Sequence, residues 1–218
     1  MIIAFVNQKG GVGKSALARA MAVEFVRNQW PTHTADMDRT QMTNFKWAER
    51  RKENEIDPAI EVAIYSEPKT ALKAAESTDV LIIDGKAFAD KHALEIATHS
   101  DLIVIPVGVS LDDLEPSLAL AVEFVNKGVA RERIIFVVSK VQDGAEKEAM
   151  NTRNSIKAWG FDVATGWISQ KAAYSQAMDR GFAMTEPKFK TLNEKVDKIV
   201  EQLFNKVMSL QEKVEEAL

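Results

Sequence analysis

A chain of 218 residues with 46% hydrophobic content can bury a substantial core, and the length suits one α/β domain over residues 1–218. A formal net charge of −4 argues against a global field that attracts nucleic acid, so any DNA contact has to come from a local basic patch. The lack of cysteine excludes disulfides, thiolate metal sites and cysteine nucleophiles, and no apolar run reaches the roughly 18 residues of a membrane span.

The chain opens on an apolar run over 2–6, predicted as a strand, which leaves no room for a signal peptide. It feeds Lys9-Gly10-Gly11-Val12-Gly13-Lys14-Ser15, and a helix is predicted over 15–28. A strand, a glycine-rich turn ending in Gly-Lys-Ser and a helix make a phosphate-binding loop. Glycines let backbone N–H groups approach phosphate oxygens, and the helix N-terminus that continues through Ala16 adds partial positive charge. Lys14 would reach the β/γ-phosphates and the Ser15 hydroxyl would ligate Mg²⁺. The common pattern has glycine where this chain has Gln8, and a second lysine, Lys9, stands at the front of the loop.

Further strands are predicted at 33–35, 61–64, 80–83, 102–107, 134–138 and 163–168. Helices are predicted at 40–54, 68–77, 111–126, 145–159 and 172–180, with a long helical tail over 189–218 that has room for a break. This alternation predicts an α/β P-loop NTPase: a mostly parallel twisted sheet flanked by helices, with ligands at the carboxyl ends of the strands. Two strand ends carry acids. The run Val80-Leu81-Ile82-Ile83-Asp84 is a Walker B pattern, whose acid can hold Mg²⁺ through a water opposite Ser15. The run Ala35-Asp36-Met37-Asp38 is the other. Asp38 can cap the helix near Thr40. His33, His92 and His99 show no metal-ligand spacing, and the tryptophans read as core or interface residues.

Lys9 to Ser15 after a short strand resembles the ParA/MinD superfamily of deviant-Walker ATPases. The likeness continues through Asp36-x-Asp38, through Ser100-Asp101-Leu102-Ile103-Val104-Ile105-Pro106-Val107 with Ser110 and Leu111-Asp112-Asp113-Leu114, and through Trp167 to Ala177 with Gly181 and Glu186. The chain departs from the family pattern at Arg39-Thr40 (usually Pro-Gln), at Gly85-Lys86-Ala87 (often Thr-Pro-Pro) and at Lys171 (usually arginine). The absence of cysteine sets aside the iron–sulfur members of the wider superfamily. The form without an N-terminal helix-turn-helix extension is similar to small plasmid-partition proteins.

The resemblance implies ATP and Mg²⁺ as cofactors and a homodimer formed on ATP binding, with Lys9 reaching the nucleotide of the other subunit. It implies that Asp38 orients the attacking water and that Asp36 supports the Mg²⁺ shell beside Asp84. Hydrolysis would be slow without a ParB-like partner or cargo adaptor, and the ATP-bound dimer would bind DNA without sequence preference. The expected location is the cytoplasm, on the nucleoid when ATP is bound. Candidate DNA contacts are Lys171, Arg180, Lys188, Lys190, Lys195 and Lys198, with an ordinary solvated face as the alternative because Glu186, Glu194, Asp197 and Glu201 are interleaved. Val196, Ile199, Leu203, Val207, Leu210, Val214 and Leu218 make the tail amphipathic. Its acidic end disfavours a MinD-like membrane role and favours packing on the domain or on a partner helix. A dimeric nucleotide-binding scaffold with little hydrolysis is a third reading.

Overall fold

The central strands come from runs rich in Val, Ile and Leu, at 2–5, 80–84, 102–107 and 134–138, that are buried on both faces, as a parallel sheet covered by helices requires. The computed structural model describes residues 1–87, 91–187 and 190–216. Its strands are β1 (Ile2–Phe5), β2 (Thr32–Asp36), β3 (Glu61–Ile64), β4 (Val80–Asp84), β5 (Leu102–Val107), β6 (Ile134–Val138) and β7 (Asp162–Val163). They form one 7-stranded sheet in the order β3-β2-β4-β1-β5-β6-β7. Every pairing is parallel.

Register positions the site. Phe5 pairs with Asp84, and Asp84 pairs with Asp36, so both acids and the root of the glycine-rich loop end level on one edge. That edge is the carboxyl side of the sheet, where ligands of such folds bind.

The helices are α1 (Lys14–Arg27), α2 (Thr43–Glu53), α3 (Pro68–Leu72), α4 (Lys91–His99), α5 (Leu111–Asn126), α6 (Glu146–Ala158), α7 (Ala172–Asp179) and α8 (Lys190–Glu216). Two cores result, one on each face of the sheet. On one face Leu17, Met21 and Phe25 of α1, Trp47 of α2, Tyr174 of α7 and Leu203 of α8 cover Ile3, Phe5 and Ile82. On the other, Ile96 of α4, Leu114 and Phe124 of α5 and Ile156 of α6 cover Ala4, Leu81 and Ile103.

The predicted elements are present, although the helix predicted over 68–77 is α-helical only over Pro68–Leu72 and continues as a 3₁₀ turn over Lys73–Ser77, and four other points differ. Helix α4 was not anticipated: a nine-residue helix carries little intrinsic signal, and packing of Ile96 and Ala97 supplies what propensity does not. Helix α2 starts at Thr43, not Thr40, because Asp38 Oδ1 accepts the N–H groups of Thr40 and Gln41 and holds them in a turn. The last strand stops at Val163, since Gly166 turns at φ 88; Ile168 rejoins through its N–H to Val138 O. The tail is one unbroken helix of 27 residues.

Helix α8 places Val196, Ile199, Leu203 and Val207 in the core, with Leu210 partly buried and Val214 49% exposed. Leu203→Ala should therefore cost about 2–5 kcal/mol in urea unfolding. Val214→Ala should change stability by less than about 0.5 kcal/mol.

Candidate functional site

The loop between β1 and α1 is anchored before any ligand arrives. Asn7 accepts the Lys9 N–H at 2.9 Å and donates to Pro106 O at 2.7 Å and Ser117 Oγ at 2.8 Å, tying the loop root to β5 and α5. The Ser139 hydroxyl donates to Val12 O. Gly11 and Gly13 turn at φ 75 and φ 104, a left-handed conformation that side chains with a Cβ adopt at a cost. Leu17 N–H is the first to close a helical bond, onto Gly13 O, so the N–H groups of Lys14, Ser15 and Ala16 stay available. Among the described residues, the N–H groups of Gly10, Gly11, Val12 and Gly13 also reach no protein acceptor. A run of such donors at a helix N-terminus is an anion cradle.

Lys14 lies across this cradle, only 7% exposed, with Nζ donating to Lys9 O at 2.9 Å. Burial lowers its pKa, against the raising influence of Asp84 and Asp38. The ammonium can exchange the carbonyl for phosphate oxygens with little movement. The Lys9 side chain is half-buried and makes no ion pair among the described residues. Beside the loop, Gly13, Ala16, Lys140, Ile168 and Tyr174 line a cavity of about 100 Å³.

Asp84 ends β4 fully buried. Its Oδ2 accepts Ser15 Oγ–H at 2.6 Å and Asn44 Nδ2–H at 2.9 Å, while Oδ1 has no hydrogen-bond partner among the described residues. Burial pushes this carboxyl up to about 7, reinforced by Asp36 and opposed by Ser15, Lys14 and Arg19. An orphaned carboxylate oxygen beside a serine hydroxyl and an anion cradle fits a divalent cation shared with a phosphate. Among the described residues no three acids gather as a metal cage. The donor set therefore suits Mg²⁺, which keeps waters and takes few protein ligands.

Asp36 is organised differently from the sequence expectation. Its Oδ1 accepts the Asp38 N–H, and its Oδ2 accepts the N–H groups of Asn44 at 2.8 Å and Phe45 at 3.2 Å. It holds the 37–43 turn and the start of α2, and Asn44 links it to Asp84. Asp38 makes the capping contacts through Oδ1 alone and is close enough for its charge to act on Lys14. Sequence reasoning missed Asn44 and Arg19. Arg19 is a cation set in the apolar run Ala16–Val23 of α1, which was a legible signal; Asn44 carried none, since its partner Asp84 is distant in the chain.

A family profile described as the CobQ/CobB/MinD/ParA nucleotide binding domain matches residues 3–184. The chain belongs to this family. Among solved structures, a chain of the MinC:MinD cell division protein complex of Aquifex aeolicus superposes with a TM-score of 0.75 at 11% identity, covering 94% of this chain and 96% of that one. MinD of Pyrococcus horikoshii complexed with Mg-ADP gives 0.71 at 14% identity, covering 92% and 94%. A putative plasmid partition protein of Borrelia burgdorferi bound to AMPPNP gives 0.73 at 18% identity, covering 94% and 98%. A search of curated protein sequences found no match.

In this MinD/ParA-family domain the other candidate cations are scattered. Lys171 is paired with Asp143 at 2.6 Å. Arg180 ends α7 exposed, and Lys195 and Lys198 are exposed on α8 among exposed Glu194, Asp197 and Glu201. Lys190 is the first residue of α8, and Lys188 lies outside the described residues.

Between about pH 4 and 7 the folded, metal-free domain keeps a proton on Asp84 that the unfolded chain has released. Its stability therefore falls as pH rises through that window. In EDTA, Asp84→Asn should raise the melting temperature by several degrees at pH 8 and by less at pH 5. An equal gain at both values would contradict the raised carboxyl.

Proposed function

We propose that the protein is an ATP-dependent dimeric switch that positions DNA or another cargo. Its ATP-bound dimer binds DNA without sequence preference, and slow hydrolysis, stimulated by a partner, releases it. The observation that carries this reading is Lys9. The loop already has Lys14 for its own phosphates, and a second lysine at the loop front, without an ion-pair partner among the described residues, is available to a nucleotide held by another copy.

ATP fits the cradle of N–H groups from Gly10 to Ala16, with Lys14 moving from Lys9 O onto the β/γ-oxygens. The relatives bound to Mg-ADP and to AMPPNP support the same ligand class here. Mg²⁺ bound with the nucleotide would supply charge neutralisation for phosphoryl transfer. Ser15 Oγ and Asp84, through water, would hold it, with Asp36 behind them. Asp38 keeps Oδ2 without a protein donor among the described residues, where it can orient an attacking water. Phosphoryl transfer asks for this kind of positioning more than for covalent chemistry.

The DNA reading draws support from the partition-type relative and from Arg180, Lys195 and Lys198 at the surface. A dimer doubles each weak phosphate contact, which would make binding steeply salt-dependent. The MinD relatives favour a second reading, a cell-division type positioning ATPase. A membrane-surface role is less favoured, because the apolar stripe of α8 packs on the domain through Leu210. No described helix is long and apolar enough to cross a membrane.

Lys14→Ala should weaken nucleotide binding by about 100-fold, the loss of a buried charge-assisted contact, and abolish DNA binding with it. Lys9→Ala should keep nucleotide binding but lose ATP-driven dimerisation in light scattering and DNA retention in a filter assay at low salt. DNA retention that is independent of ATP, or intact in Lys9→Ala, would refute the switch. Asp38→Ala should leave a long-lived ATP dimer, and fast hydrolysis by that variant would remove Asp38 from its role.

A further inference from the structure

Asn44 is fully buried at the second position of α2. Its Nδ2–H donates to Asp84 Oδ2 at 2.9 Å, its Oδ1 accepts from Arg19 Nε at 2.7 Å, and its backbone N–H donates to Asp36 Oδ2 at 2.8 Å. Among the described residues it alone hydrogen-bonds to both strand-end acids. The chemistry of its neighbours determines the orientation of the amide. A guanidinium only donates, so the amide oxygen faces Arg19 and the nitrogen is left to donate to Asp84.

Arg19 is itself held. It is 6% exposed, its Nη2 donates to Thr43 O at 2.7 Å, and its guanidinium lies 5.3 Å from the Trp47 ring centroid. Trp47 in turn donates from Nε1 to Phe182 O at 3.1 Å. The amide of Asn44 is thus preorganised by a cation that has no room to turn away.

The consequence falls on Asp84. Two donors meet on Oδ2, and Oδ1 is the oxygen left open. The Ser15 bond competes with that hydroxyl's own use as a cation ligand, whereas the Asn44 bond does not depend on what Ser15 does. Outer-shell donors of this kind orient metal-side carboxylates and set their affinity.

We infer that Asn44 is a positioning residue for Asp84, anchored by Arg19, that keeps Oδ1 open and thereby sets the affinity for Mg²⁺ while leaving phosphate binding to Lys14 and the loop. This rests on the Mg²⁺-nucleotide reading above.

The test titrates MgCl₂ into the full-length protein with a fluorescent ATP analogue, and repeats the nucleotide titration in EDTA. In Asn44→Leu, close in size and without donors, the half-saturating MgCl₂ should rise about 10-fold or more while affinity in EDTA stays unchanged. Arg19→Lys, which keeps the charge but loses the two-pronged contact, should shift in the same direction by less. In an Asp84→Asn background Asn44→Leu should add nothing, because its effect passes through that carboxylate. An unchanged half-saturation in folded Asn44→Leu, or fully additive losses in the double variant, overturns the inference. If circular dichroism shows Asn44→Leu unfolded, Arg19→Lys decides, and no rise there overturns it equally. A wild-type protein whose nucleotide binding ignores Mg²⁺ would instead refute the underlying reading.

Discussion

A carboxylate buried at the end of a central strand is the constraint around which the site is built. Asp84 is only 4% exposed, and its strand neighbour Asp36 brings a second acid to the same level. An ionised group in such a place is costly unless donors and cations face it. Ser15 from α1 and Asn44 from α2 supply the donors, and Lys14 and Arg19 supply the positive charge. Two helices are therefore drawn onto one strand end, and the phosphate loop that opens α1 comes with them. The compensation is incomplete, as Oδ1 shows, and a site left short of positive charge is suited to take up a cation with its nucleotide.

The position of α2 depends on a second buried charge. Arg51 is 1% exposed and pairs with Glu186 through both nitrogens, at 2.6 and 2.9 Å, while also donating to Pro58 O and Gly181 O. Gly181 turns at φ 92, and a Cβ there would come within 2.6 Å of the Arg51 backbone. Only glycine allows the chain after α7 to approach α2 so closely. Such a pair is weak grounds for net stability, but removing Glu186 would leave the Arg51 guanidinium in the core without its carboxylate, whereas Glu186 also pairs with Arg27 at 2.7 Å. What it secures is placement: α2 is fixed on Asp36 at its start and on the 181–186 turn farther along. Arg51 lies 5.5 Å from the Trp47 ring that also contacts Arg19, so both arginines meet at one side chain.

Much of this was readable without coordinates, and for a local reason. The glycine-rich loop, the apolar strands and the acids at their ends are contiguous patterns whose meaning follows from neighbours a few residues away. The loop, the strand runs ending at Asp36 and Asp84, and the amphipathic tail were of this kind. The cations near the C-terminus were legible only in part: the acids interleaved with the lysines of α8 are visible in the sequence, but the pairing of Lys171 with Asp143 is not, since the two lie 28 residues apart.

The sequence by itself determined the α/β class, the phosphate loop with its two lysines, and the acids that face it. Short-range hydrogen bonding and hydrophobic burial dictate those features, and both are written in adjacent residues. The tertiary structure alone decided how the acids divide their work. Asp84 keeps an open oxygen, Asp36 gives both of its oxygens to backbone N–H groups, and Asn44 joins them. Those assignments depend on parallel register between β2 and β4 and on the docking of α2, contacts between residues far apart in the chain that no local pattern encodes.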